Sequence, residues 1–87
     1  MNYTLLIKPA AEKQLRHLSE LLQRRIMEKL AGLQANPRLA GAVKLAGAAA
    51  TWRVRVGDYR IAYEIDDAER MVFVTIIAHL REVYRGI

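Results

Sequence analysis

The beginning of the chain alternates between apolar and polar positions. Within residues 2–8, one side of an extended segment carries the apolar side chains Tyr3, Leu5 and Ile7. Successive side chains of a strand point to opposite faces of its sheet, so this alternation is typical of a half-buried strand. The pattern predicts a first β-strand that is buried on at least one face and ends at Pro9.

The apolar spacing becomes helical after this strand. Steps of three and four separate the apolar residues Ala11, Leu15, Leu18, Leu22, Ile26, Leu30 and Leu33. Such spacing predicts either one long amphipathic helix or two helices, the second with Ser19 as its N-cap. Asn36 precedes Pro37 and is pushed out of the α region, which ends the helical segment. Residues 37–50, with two glycines and an alanine run, are predicted to form a loop.

Residues 52–66 form the clearest pattern, which is a hairpin of two alternating strands. The pair Gly57-Asp58 suits a two-residue turn of type II′. The resulting register places opposite one another Val56 and Tyr59, Arg55 and Arg60, Val54 and Ile61, Arg53 and Ala62, and Trp52 and Tyr63. One face is then apolar and carries Trp52, Val54, Val56, Tyr59, Ile61 and Tyr63. The other face gathers Arg53, Arg55 and Arg60.

This gathering of arginines has an energetic cost, because like charges directly opposite on paired strands repel. Arg55 and Arg60 form such a pair, so removing one of them is expected to leave stability unchanged or slightly higher. An anion between the guanidinium groups explains the arrangement, and phosphate matches their planar donors. The alternative is a solvated sheet face that Glu64 and Asp66 neutralise. The third arginine and the basic balance of the chain favour the anion.

The end of the chain supplies the last strand of the predicted sheet. Residues 71–78 are almost wholly apolar and rich in β-branched side chains, which predicts a central strand covered on both sides. A polar turn over residues 66–69 precedes it. The order of elements predicts one α+β domain over residues 1–87, with one or two helices packed on a mainly antiparallel four-stranded sheet.

Composition narrows the classes of function. The 87 residues carry a formal net charge of +5 and contain no cysteine, which excludes disulfides and thiolate metal sites and suits a reducing cytoplasm. No metal or other cofactor is expected, since the two histidines lie far apart in sequence. Neither a signal peptide nor a membrane span is expected. Basic residues dominate positions 44–60 and acidic residues dominate 61–79, so the chain is expected to bind a polyanion locally.

Four motifs, in this order, resemble the RelE branch of the RelE/ParE superfamily of bacterial toxins. They are Asn36-Pro37, Lys44-Leu45-x-Gly47, the hairpin run from Trp52 to Tyr63, and the closing Arg81-Glu82-Val83-Tyr84-Arg85. The resemblance implies the RelE-like fold and the toxin of a type II toxin–antitoxin system. The implied activity is that of a ribosome-dependent, metal-independent endoribonuclease (mRNA interferase) that cleaves translated mRNA and inhibits protein synthesis in the cytoplasm.

The resemblance also implies a set of site residues. The chemistry is attack of a ribose 2′-hydroxyl on the adjacent phosphate, which requires a proton acceptor, cations for the developing charge and an acid. The implied catalytic residues are Arg53, Arg55, Arg60, Arg81, Tyr84 and His79, and the implied RNA-binding residues are Lys44 and Arg85. For three of them a structural role is the alternative: a strand-end hydrogen bond for His79, a core contact for Tyr84 and simple exposure for Lys44.

Two departures from the family pattern concern the chemistry. The second strand carries arginines where family members often have lysines, and guanidinium groups are good phosphate ligands but poor bases. In the tail, Leu80 stands where the family commonly has arginine, and Arg81 follows one position later. His79 is then the only residue near the predicted site that titrates near neutral pH.

The partners implied are the ribosome, its mRNA and an acidic, RelB-like antitoxin. The antitoxin has two candidate docking sites, namely the arginine-bearing sheet face and the groove between the helices and the sheet. Two other functions stay open. One is a ParE-like inhibitor of a topoisomerase (gyrase) without nuclease activity, and the other is a degenerate toxin that acts only as a binding module.

Overall fold

A computed structural model describes residues 2–39, 41–44 and 51–79. The elements are β1 (Thr4–Ile7), α1 (Pro9–Arg16), α2 (Glu20–Ala35), β2 (Val43–Lys44), β3 (Thr51–Val56), β4 (Tyr59–Asp66) and β5 (Met71–His79). The strands form one sheet in the order β1-β5-β4-β3-β2. β1 pairs with β5 in parallel and every other pair is antiparallel, which confirms the predicted α+β class.

The sheet has five strands in the described residues, one more than predicted. The additional strand, β2, lies inside the segment that the glycines and alanines indicated as loop, so that part of the prediction was wrong. β2 contributes only two residues, and it pairs at the edge of the sheet with Arg53 and Trp52 of β3. So short an edge strand leaves almost no alternation in the sequence by which to recognise it.

The structure resolves the helical segment into two helices. Ser19 has an extended backbone and its Oγ accepts a hydrogen bond from the backbone N–H of Leu22, at 3.2 Å, which is the geometry of an N-cap. α2 then ends at Ala35, and Asn36 is again extended (φ −149°) before Pro37. Ser19 as a cap and the stop at Asn36-Pro37 are therefore confirmed.

The predicted hairpin register is confirmed at every pair, from Val56 opposite Tyr59 to Trp52 opposite Tyr63. Gly57 has a positive φ of +57° and Asp58 does not, which distinguishes a type II′ turn from type I′. The apolar face of the hairpin packs under the helices. The core there comprises Ala11, Leu15, Ile26, Leu30 and Leu33 from the helices, with Val54, Ile61, Tyr63, Ile65, Val72, Val74 and Ile77 from the sheet.

The last strand agrees with the prediction in its position but not in its burial. β5 lies between β1 and β4, inside the sheet as predicted, whereas Met71, Phe73 and Ile76 on its second face are only partly buried. A β-bulge also interrupts its pairing with β4, since Tyr63 pairs with Val74 whereas Ala62 pairs with Ile76. The extra residue between these pairs is Thr75. From that point onward, the alternation of β5 is shifted by one residue, so each side chain points to the face opposite the one that an uninterrupted strand would give it.

Replacing Tyr63 with phenylalanine is expected to lower the free energy of unfolding by about 1–2 kcal/mol, the usual effect of leaving a buried polar group without its partner. The Tyr63 hydroxyl is buried and donates a hydrogen bond of 2.6 Å to the Pro37 carbonyl. Burial raises the pKa of Tyr63 to about 12. Urea unfolding measures the effect, with the half-buried Tyr59→Phe as the matched control. Equal stabilities of the two variants would contradict the assigned role.

Candidate functional site

Three arginines line one cavity of about 360 Å³ on the sheet face away from the helices. Arg53 and Arg55 come from β3 and Arg60 comes from β4, while Gly41, Val43 and Val54 complete the wall. This cavity is called the arginine pocket below. None of the described residues that line it is a carboxylate or an imidazole. The pocket therefore offers donors and positive charge for an anion such as phosphate, but no side chain that accepts a proton readily.

Arg60 is buried, with 8% of its surface exposed, so the expectation of a wholly exposed arginine cluster was wrong. Its Nη1 donates hydrogen bonds to the carbonyl oxygens of Gly57, at 3.3 Å, and Tyr59, at 3.2 Å. The two carbonyls partly offset the repulsion from Arg55 on the facing strand. Removing Arg60 therefore loses packing and hydrogen bonds, and we expect lower stability instead of the unchanged or higher stability inferred from charge alone.

Arg55 lies opposite Arg60 in the hairpin but differs from it in exposure and in hydrogen bonding. Its side chain is exposed, and within the described residues it makes no side-chain hydrogen bond or ion pair. Arg53 is intermediate in exposure and sits opposite Ala62 on β4 and Val43 on β2. The pocket thus combines the Arg60 guanidinium, which backbone carbonyls hold in place, with the exposed Arg55 guanidinium, which is free to reorient.

His79 does not reach the arginine pocket. In the register it pairs with Tyr59, while its neighbour Ala78 pairs with Arg60, so His79 belongs to the face that the helices cover. Its ring meets the Tyr59 ring edge to face, with centroids 5.6 Å apart. The bulge at Thr75 causes this placement, because one extra residue in β5 moves the following side chains to the other face of the sheet. The prediction that His79 lies beside the arginines is therefore corrected, and a catalytic role for it stays untested.

Lys44 is also separated from the three arginines. It is exposed on β2 and pairs with Trp52, whose side chain lies on the helix-covered face, whereas Val43 pairs with Arg53. The remaining predicted site residues, Arg81, Tyr84 and Arg85, and the departure at Leu80 lie outside the described residues.

A second cavity, of about 460 Å³, opens between α2 and the end of β3. It is lined by Arg25, Glu28, Lys29, Gly32, Leu39, Arg55 and Val56, and is called the helix groove below. Its position between α2 and β3 corresponds to the predicted groove between the helices and the sheet. Arg25 and Lys29 lie four residues apart, so helical spacing could have predicted that they share one face of α2. It could not have predicted that they line a cavity together with Arg55.

A polar network at the other end of the sheet was missed from the sequence. Arg38 binds both carboxylate oxygens of Asp67, at 3.1 and 2.7 Å, and the Tyr3 hydroxyl donates to the same carboxylate at 2.6 Å. The Arg38 guanidinium also lies 5.5 Å from the centre of the Trp52 ring. The turn that carries Asp67 is thus tied to both β1 and the segment after α2, whereas the sequence predicted only a polar turn there.

Asp67 is expected to give the protein an acid-sensitive stability. The hydrogen bonds from Arg38 and then Tyr3 lower the pKa of Asp67 from 3.8 to about 2. A carboxylate with a lowered folded-state pKa stabilises the fold above its unfolded pKa, and this contribution disappears as pH falls through the folded value. The melting-temperature difference between wild type and Asp67→Asn should be largest above about pH 4 and vanish towards pH 2. Asp58→Asn is the control; a difference that does not depend on pH would contradict the network.

Comparison with known proteins assigns the chain to a family. The model described as the ParE toxin of type II toxin-antitoxin system, parDE, matches residues 5–84. The chain belongs to this toxin family. A comparison with curated proteins finds no match. In the described residues, no group of three or more histidine, aspartate or glutamate side chains is placed to hold a metal ion, and no helix is long and apolar enough to cross a membrane.

Solved structures of RelE toxins share the fold of this toxin. RelE in the archaeal RelE–RelB complex of Pyrococcus horikoshii is 25% identical with a TM-score of 0.82, and the match covers 92% of this chain and 97% of that one. A mutant E. coli RelE in the free state is 27% identical with a TM-score of 0.82, covering 98% and 93%. The match to the Mycobacterium tuberculosis RelBE2 complex has 26% sequence identity and a TM-score of 0.80, and it covers 91% of this chain and 99% of that one. The toxin is thus RelE-type within the RelE/ParE superfamily.

Proposed function

We propose that this toxin is a ribosome-dependent endoribonuclease that cleaves translated mRNA and so inhibits protein synthesis in the cytoplasm. The observation that carries the proposal is the arginine pocket, where Arg53, Arg55 and Arg60 converge on one cavity. The reaction is attack of a ribose 2′-oxygen on the adjacent phosphorus. The bond from phosphorus to the 5′-oxygen of the next nucleotide breaks, which leaves a 2′,3′-cyclic phosphate and a 5′-hydroxyl.

The fixed and the mobile arginine have different parts in this reaction. Arg60 is held by two carbonyls before substrate arrives, so its remaining donors and charge can stabilise the pentacoordinate phosphorane without reorganisation. Arg55 is exposed and closes on the phosphate as the strand enters, with Arg53 beside it on β3. These groups stabilise charge. They do not explain how the 2′-hydroxyl loses its proton or how the leaving oxygen gains one.

We assign the two proton transfers to the ribosome, and the binding and positioning of the RNA to the closing segment and the ribosome together. Tyr84 is the candidate for stacking on a base, and Arg81 and Arg85 are candidates for contacts with the RNA backbone, by resemblance to the family. The ribosome would hold the 2′-oxygen in line with the phosphorus, a positioning effect worth several kcal/mol. Lys44 and His79 remain untested candidates on the other sheet face.

Expression of the toxin in growing bacteria, followed by mapping of mRNA 5′ ends, tests this function. We expect new 5′-hydroxyl ends confined to translated reading frames, and their loss when translation of a reporter is prevented by mutation of its start codon. The matched control is the Arg55→Ala variant, which should lose a large part of the cleavage. It should still fold as wild type, because the Arg55 side chain is exposed and has no bonded partner among the described residues. New ends in untranslated transcripts would contradict the proposal.

The second candidate function is inhibition of a topoisomerase. It is favoured by the family model, which is named for the ParE toxin. The same expression experiment distinguishes the two, because topoisomerase inhibition would give DNA damage without new mRNA ends. A toxin that had become only a binding module would give neither effect and no change in growth.

The partner proposed for this toxin is an acidic antitoxin made alongside it. RelE toxins of similar structure were solved as complexes with RelB antitoxins, from P. horikoshii and from E. coli among others. The net charge of +5 makes an acidic partner favourable for association. The arginine pocket and the helix groove are the two candidate docking sites for such a partner.

A further inference from the structure

Arg55 is shared by the two cavities. It lines the arginine pocket on one side of the sheet and the helix groove on the other. Arg55 lies near the end of β3, where Gly41 lines the arginine pocket and Leu39 lines the helix groove. A long, flexible guanidinium chain at this position can contribute to either cavity.

The surroundings of Arg55 allow its side chain to point into either cavity. Arg60, its neighbour across the hairpin, is anchored by the carbonyls of Gly57 and Tyr59. Arg55 has no corresponding anchor among the described residues and is exposed. The facing charge of Arg60 also repels it from the arginine pocket when no anion is present. An anion in either cavity is then sufficient to bias its position.

The helix groove has the chemistry to bind an acidic peptide with an apolar side chain. Arg25 and Lys29 of α2 join Arg55 in lining it, against one carboxylate, Glu28, among the residues that the structure describes. Leu39 and Val56 supply an apolar surface in the same cavity. A phosphate backbone could pair with the cations, but it would leave the apolar surface uncovered and would be repelled by Glu28. A peptide whose carboxylates flank an apolar residue therefore fits the groove better.

We propose that an acidic peptide segment binds the helix groove and draws the Arg55 guanidinium away from the arginine pocket. Binding in the groove would then weaken binding of RNA on the opposite face of the sheet without any contact between the two ligands. The inference rests on the proposed function, since it treats the arginine pocket as the RNA site. It identifies the segment as part of the antitoxin and explains inhibition by competition for a single side chain.

The first test measures where the peptide binds. The probe is a short synthetic peptide of Glu-Glu-Leu repeats, titrated calorimetrically into the full chain at low salt. Arg25→Gln combined with Lys29→Gln should weaken binding about tenfold, the range for two partly exposed ion pairs. The control removes two charges elsewhere on the helices, with Lys13→Gln and Arg24→Gln, and should bind as wild type. Equal weakening in both double variants would show binding by net charge alone and overturn the groove assignment.

The second test measures the coupling. A fluorescent single-stranded RNA oligonucleotide is bound to the toxin with and without saturating peptide. In wild type the peptide should weaken RNA binding about fivefold or more, as for ordinary coupling between two sites. In Arg55→Gln each ligand should bind more weakly, but the effect of one on the other should disappear.

Three outcomes of the second test would overturn the inference. The first is independent binding in wild type, and the second is competition that persists in Arg55→Gln, which would mean that the ligands overlap. The third is loss of RNA binding, but not of peptide binding, in the Arg25 and Lys29 double variant, which would assign the groove to RNA. None of these measurements involves cleavage. A toxin that fails to cut mRNA on ribosomes would refute the proposed function and leave the competition intact.

Discussion

Replacing Arg60 with alanine should slow mRNA cleavage on programmed ribosomes by about 10²–10³-fold, the usual effect of losing one preorganised donor to transition-state charge. The guanidinium is positioned by two backbone carbonyls and lies within the arginine pocket. The same change should lower the melting temperature, since the side chain is buried at 8% exposure. Single-turnover cleavage and thermal unfolding measure the two effects on one protein.

Two further variants separate catalysis from stability. Arg55→Ala should lose a large part of the cleavage rate at an unchanged melting temperature, because its exposed side chain has no bonded partner among the described residues. Arg24→Ala, an exposed arginine on α2 that lines neither cavity, should change neither quantity. A folded Arg60→Ala protein that cleaves at the wild-type rate would exclude Arg60 from the reaction.

The second large effect is the dependence on the ribosome. The purified toxin should cleave a message on programmed ribosomes at least about 10³-fold faster than the same message free in solution, because in-line positioning of the attacking oxygen supplies several kcal/mol. The described lining of the arginine pocket contains cations but neither carboxylate nor imidazole, so the pocket alone activates the 2′-hydroxyl weakly.

The control for this experiment is a message with a mutated start codon in the same ribosome mixture. It should stay intact, since it does not enter the decoding site. Cleavage of free RNA at a rate close to that on ribosomes would show that the toxin supplies its own base and positioning, and would transfer that role to residues outside the described part.

The hairpin could be predicted in full because local rules determine it. Gly57 supplies the positive φ of the turn, and the period of two then fixes every pair up to Trp52 and Tyr63. The choice between one helix and two could not be made from spacing, since a continuous apolar stripe suits both. The Ser19 cap decided it, and a cap depends on a single backbone conformation.

The site was predicted less completely than the fold because its features depend on distant contacts. The burial of Arg60 results from the carbonyls of its own turn, which a charge pattern does not reveal. His79 changed face because of one extra residue at Thr75, and no glycine marked the bulge. The pairing of Arg38 with Asp67 joins residues far apart in sequence, so only the folded chain brings them together.

The parallel pairing of β1 with β5 bears on how the toxin is made. Thr4 aligns with Met71 and Ile7 with Val74, so the first strand of the chain has no sheet partner until the last described strand has been synthesised. Contacts of such long sequence separation form late in folding. During translation β5 is the last of these elements to leave the exit tunnel, and it also flanks β4, which carries Arg60. The sheet that supports the arginine pocket therefore stays incomplete on the nascent chain until β5 has left the exit tunnel.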